Sequence, residues 1–201
     1  MKEKLKKQFK DLLKGDLEKN FYEGMKERYQ RLEKTPVFEI IKSALSQRIE
    51  NIYARLKELE TGILKEEDKE KLIGDINAIF DLLDFLIIDW NQKTKDLIVE
   101  KRNKIFGEAK KEIDNLIKDT PKISPAEYSK ILLFRSIQNL IEFLIKIRTE
   151  RKREEVKIFE EYFTNQLEGV KNLDDMGQIH QLISRVSNFL AYLEIVLEKK
   201  P

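Results

Sequence analysis

The residue types here that could do chemistry are a single histidine, seven serines, spaced carboxylates and clusters of cations. With His180 as the only histidine, a metal site built on several imidazoles is excluded. His180 follows Ile179 and lies between Gln178 and Gln181, which reads as a surface residue or a satisfied core residue. Ser43, Ser46, Ser124, Ser129, Ser136, Ser184 and Ser187 have no nucleophile-elbow context. Neither GxxxxGK[ST] nor GxGxxG occurs, so no loop for cradling phosphates is indicated. No catalytic residue, metal ligand or cofactor is assigned from the sequence.

The carboxylates give one enzymatic alternative. Glu67 and Glu70 are three residues apart, as are Asp81 and Asp84. That spacing puts each pair on one helix face, where its oxygens can hold Mg²⁺. All-α nucleotide pyrophosphohydrolases use ExxE and ExxD pairs, but present them from neighbouring helices, whereas both pairs here fall on one expected helix. Glu67 and Glu70 also suit a helix N-terminus, whose partial positive charge favours acids.

The densest cationic stretch is KIRTERKREEVK at residues 146–157, with six cations and three carboxylates. Lys146, Arg148, Arg151, Lys152, Arg153 and Lys157 are the candidate nucleic-acid contacts. As a continuous helix, this stretch puts Arg148 with Lys152, and Arg153 with Lys157, on shared faces, and pairs Arg151 with Glu155. Arginine suits bidentate phosphate contact. No aromatic residue lies among these cations, so base stacking is not indicated. The competing reading is a solvated helix face. Two further basic clusters are Lys2, Lys4, Lys6, Lys7, Lys10 and Lys14, and Lys101, Arg102 and Lys104.

The chain of 201 residues carries 39 cations and 37 anions, a net charge of only +2, so nucleic-acid contact must come from local patches. Charged residues make up 38%, well above the usual level of about 25%, which suits long helices with ionic outer faces and also a thermophile protein. There is no cysteine. The opening MKEKLKKQFK lacks the apolar core of a signal peptide, and no run reaches the roughly 18 apolar residues of a membrane span. A cytoplasmic location without membrane contact is expected.

The elements that must carry these residues are helices. Apolar residues recur at spacings of three and four, and no strand alternation appears. The spacing predicts helices over Lys2–Leu13, ended by Gly15, and over 16–32, on Leu17, Phe21, Met25, Tyr29 and Leu32. Thr35-Pro36 reads as the cap and first position of a third helix, running to Gly62. Residues 65–118 form one helix or two, with a break near Asn91 the better fit to ordinary helix lengths. Ser124-Pro125-Ala126-Glu127 is a capping box. A long helix should follow, with Leu167 as its furthest end, and a last one over 174–198. The expected fold is an all-α bundle of six or seven helices. It has an N-terminal helical region (1–119) and a C-terminal one (120–201), packed together.

Residues 20–76 also carry a family likeness. NFYEGMKERYQRL, SQRIENIYARLKEL and ILKEEDKEKLIGDI are similar to the helical domain of GINS replication-complex subunits. The matching positions are Phe21, Tyr22, Arg48, Ile49, Ile52, Leu64, Glu66, Glu67 and Leu72. That family's small β domain has no counterpart here, and residues 120–201 do not match. The resemblance implies a non-enzymatic scaffold in a nucleic-acid-processing assembly. The reading is therefore an intracellular helical scaffold or adaptor in a replication-type complex or an RNA-guided effector. Its partners would be other subunits or itself through helix faces, and DNA or RNA through the basic stretch. The alternatives are a structural helical oligomer without nucleic-acid binding, and the Mg²⁺-dependent hydrolase.

Overall fold

The computed structural model describes residues 17–61, 65–118 and 122–200. The helix expected over Lys2–Leu13 with its lysines, Gly15, Gly62, Leu64 and Thr120-Pro121 lie outside them. Among the described residues there are seven α-helices and no strand. They are α1 (Leu17–Leu32), α2 (Phe38–Glu60), α3 (Glu66–Leu86), α4 (Gln92–Leu116), α5 (Pro125–Arg151), α6 (Lys157–Gly169) and α7 (Met176–Lys199). Single 3₁₀ turns at Glu154–Val156 and Val170–Asn172 flank α6. The chain is thus an all-α protein.

The helices group into two compact units. One contains the residues up to Lys34 together with Leu45–Ile87; the other contains Thr35–Ala44 and the chain from Ile88 onward. This differs from the expected partition at residue 119. Because α4 packs against α5 and α7, residues 88–118 join the C-terminal helices.

In the first unit, α1 buries Leu17, Phe21, Met25 and Leu32 and packs on α3. Leu72, Ile76, Ile79, Leu82, Leu83, Phe85 and Leu86 are all buried on α3, which makes it the unit's central helix. Phe21 meets Tyr53 edge-on at 5.2 Å and stacks on Phe80 at 5.8 Å. The Arg28 guanidinium lies 4.0 Å from the Phe80 ring centre, donates to the Gly24 carbonyl at 3.1 Å and pairs with Asp84 at 2.7 Å. Arg55 ties α2 to α3, donating to Asp75 Oδ2 at 2.6 Å and to the Asp68 carbonyl at 2.8 Å. Burial, and to a lesser extent the neighbouring Tyr53, push the Tyr29 phenol up to about 12.

Two helix boundaries settle questions that the sequence leaves open. Residues 65–118 form two helices, because Asn91 caps the second: its Oδ1 accepts from the Thr94 amide at 3.1 Å. The Thr94 hydroxyl donates to the Asp89 carbonyl at 2.8 Å and accepts from Lys199 Nζ at 2.9 Å. The buried Thr94 is thus hydrogen-bonded through both its amide and its hydroxyl. At Thr35-Pro36 the expectation needs correction. The Phe38 amide donates to the Thr35 carbonyl at 3.4 Å, so this pair shapes a turn before α2 instead of capping it.

In the second unit, α7 is buried almost all round from Val186 to Val196, and it packs against both α4 and α5. Lys101 on α4 bridges Glu198 at 2.7 Å and Glu194 at 3.2 Å on α7. The capping box forms as expected: Ser124 Oγ accepts from the Glu127 amide at 3.2 Å, and Glu127 accepts from the Ser124 amide at 2.9 Å. Those hydrogen bonds hold the Glu127 carboxyl below its ordinary range. Leu116, at the end of α4, is 73% exposed.

Candidate functional site

The basic stretch does not lie along one helix. α5 stops at Arg151, and Lys152 takes the left-handed conformation at φ 53°, ψ 39°. Arg153 and the turn Glu154–Val156 follow, and α6 starts at Lys157. The expected helix running as far as Leu167 is therefore two helices around a corner. The reason is packing: the corner lets α6 fold back on α5, with Val156, Ile158, Phe159 and Phe163 buried.

That corner redistributes the six candidate cations. Arg148 Nε donates to Glu160 Oε1 at 2.7 Å across the α5–α6 pair, and this bond holds the guanidinium more firmly in its charged form. Arg153 pairs with Glu155 at 3.3 Å, and Lys157 with Glu161 at 3.6 Å. The expected Arg151–Glu155 pair does not form, because it requires one continuous helix. Lys146, Arg151 and Lys152 are exposed and make no ion pair among the described residues. Of these three, Arg151 and Lys152 stand at the end of α5 and its left-handed cap, and Lys146 more than a turn earlier on α5.

A lysine at positive φ is strained, because its Cβ crowds the backbone, a cost glycine avoids. Lys152→Gly is expected to stabilise the fold by up to about 1 kcal/mol, since a helix end of this shape favours glycine. A urea titration checks this, and a loss of stability would show that the lysine stem packs usefully at the corner.

The carboxylate pairs Glu67–Glu70 and Asp81–Asp84 do share α3. Eleven residues separate Glu70 from Asp81, about 16 Å along the helix axis, so the two pairs do not converge on one ion. Asp84 is bonded to Arg28. No group of three or more His, Asp or Glu side chains able to hold a metal ion occurs among the described residues.

A second candidate lies where α4, α5 and α7 meet. They line a half-open cavity of about 420 Å³, within the range of small-molecule pockets. Arg102, Phe106 and Lys110 line it from α4, Tyr128, Ser129 and Leu132 from α5, and His180, Ile183, Ser184 and Ser187 from α7. Lys110 Nζ sits 4.6 Å from the Phe106 ring centre. The Tyr128 hydroxyl donates to Asp114 at 2.9 Å, and partial desolvation together with this acceptor makes the phenol keep its proton more tightly than usual. Ser129 Oγ and His180 Nε2 are 3.3 Å apart, and no carboxylate among the described residues bonds the other ring nitrogen. This is a serine–histidine contact without the third group that orients a nucleophile's base. Of these residues the sequence reading singled out Arg102, Ser129, His180, Ser184 and Ser187, each separately; no local pattern connects positions 102–110, 128–132 and 180–187.

Among the described residues no helix is long and apolar enough to cross a membrane. No family model, curated protein or solved structure matches the chain.

Proposed function

We propose that the chain is a non-catalytic helical scaffold or adaptor in a nucleic-acid-associated complex, and that it meets phosphates through Lys146, Arg151 and Lys152. One observation carries this reading: half of the cations in the basic stretch are paired with neighbouring acids, while these three are exposed and make no ion pair among the described residues, Arg151 and Lys152 at the α5 corner and Lys146 more than a turn before it. Their contact is with the backbone of the nucleic acid, because no aromatic side chain lies among them to stack on bases. The likeness of residues 20–76 to GINS subunits supports a replication-type assembly as the setting.

The test is fluorescence anisotropy with labelled single- and double-stranded DNA and RNA across a salt series. Three phosphate contacts predict a log–log salt slope of about −2 to −3. Changing Lys146, Arg151 and Lys152 together to Ala should flatten that slope by nearly its whole value, at about one per cation. Arg148→Ala should leave the slope unchanged, since its charge is already engaged by Glu160. If the triple variant keeps the wild-type affinity and slope, the corner is not the contact. Absence of binding at about 50 mM salt removes nucleic acid as the partner altogether.

A further inference from the structure

The geometry points to the cavity between α4, α5 and α7 as a binding site for a small amphipathic organic anion, a carboxylate on an apolar body. Three features select that chemistry. Arg102 and Lys110 bring two cations to the cavity, and no Asp or Glu lines it, so the local field favours an anion over a cation or a neutral molecule. Phe106, Leu132 and Ile183 supply an apolar lining for a hydrocarbon or aromatic body. Ser187 supplies the third feature. It is only 2% exposed, and its hydroxyl has no hydrogen-bond partner among the described residues.

A buried hydroxyl without a partner is costly, and native proteins rarely keep one without cause. Ser136, on the neighbouring helix, shows the ordinary solution: its hydroxyl donates to the Leu132 carbonyl one turn back at 2.7 Å. Ser187 does not do this, so its donor stays available at the cavity wall. A ligand carboxylate oxygen satisfies it. Lys110 lies on the face of Phe106, so an apolar body that packs on this wall also meets positive charge. This site is separate from the cationic corner, and neither depends on the other.

Isothermal titration of the full chain with decanoate and 2-naphthoate tests the assignment, with decanol and decylamine as neutral and cationic controls. Both carboxylates should bind, and decanol should bind at least about tenfold more weakly, the loss expected when a charge-assisted hydrogen bond is removed. Arg102→Gln should weaken decanoate by a similar factor, and Ser187→Ala by about fivefold to tenfold. Ser184 lines the cavity yet is solvent-exposed, so Ser184→Phe should obstruct the cavity and abolish binding with an unchanged thermal melt. Full binding by Ser184→Phe would place the ligand elsewhere. Equal affinity for decanol and decanoate would reduce the site to an apolar hole. Binding of neither carboxylate up to about 1 mM would overturn the proposal.

Discussion

Phe189→Ala is expected to lower the unfolding free energy by about 3–5 kcal/mol, the usual cost of truncating a buried aromatic. Phe189 is fully buried on α7. Its ring meets Phe159 at 4.9 Å in an edge contact and Phe163 at 5.6 Å, and both of those residues lie on α6. Truncation therefore removes the packing that draws α6 back onto the bundle, in addition to leaving a void. The loss should appear in a urea titration, and hydrogen exchange should show the amides of α6 opening before those of α3. Phe189→Leu keeps part of the volume and should cost less. A change under about 1 kcal/mol in the alanine variant would mean that the three rings are not a packed centre. The corner at Lys152 exists because α6 turns back to bury Phe159 and Phe163. The same variant should therefore loosen the cationic corner along with lowering stability and, on the function proposed above, weaken nucleic-acid binding.

What the sequence revealed of this molecule follows from which forces are local. The stripes of α1, α3 and α7 were legible because a helix that buries one face must repeat apolar residues at its own period. The cap at Ser124 was legible because a short polar side chain serves amides only a few residues away; the break before Gln92 was favoured only by ordinary helix lengths. The break at Lys152 was not. KIRTERKREEVK has no glycine or proline, and nearly every residue in it tolerates a helix. The corner is imposed from a distance, by the burial of Val156, Phe159 and Phe163 and by the bond from Arg148 to Glu160. The six cations are neighbours in the chain, but their division into engaged and free members depends on that corner. The cavity was illegible for the same reason: Arg102, Ser129 and Ser187 stand far apart in the chain, and only the packing of three helices gives them a common space. Thr35-Pro36 misled in the opposite sense. Its residue types fit a helix start and a turn equally well, and the turn was the one formed.

The close approach of α1 to α3 gives the second large effect, and it rests on a missing side chain. A Cβ placed on Gly24 would lie 2.5 Å from Phe80 Cζ, with the neighbouring ring carbons at 3.1 and 3.2 Å. The ring has little room to yield, since Phe21 stacks on it and Arg28 is drawn over it while bonded to Asp84 and to the Gly24 carbonyl. Gly24→Val should destabilise the protein by about 3 kcal/mol, the upper end of ordinary overpacking, because two further methyl groups enter the same space. Gly24→Ala should cost less, about 1 kcal/mol net, since alanine's better helix propensity offsets part of the clash. The two origins can be separated by shortening the opposing side chain. In Phe80→Leu the ring tip is gone, and adding Gly24→Ala there should recover the helix-propensity gain as a stabilisation. A double-mutant cycle over these four proteins should then give a coupling of about 1–2 kcal/mol, with the sign of relieved crowding. Additive behaviour would mean that α1 and α3 do not approach through this glycine, and the placing of Arg28 over Phe80 would lose its reason.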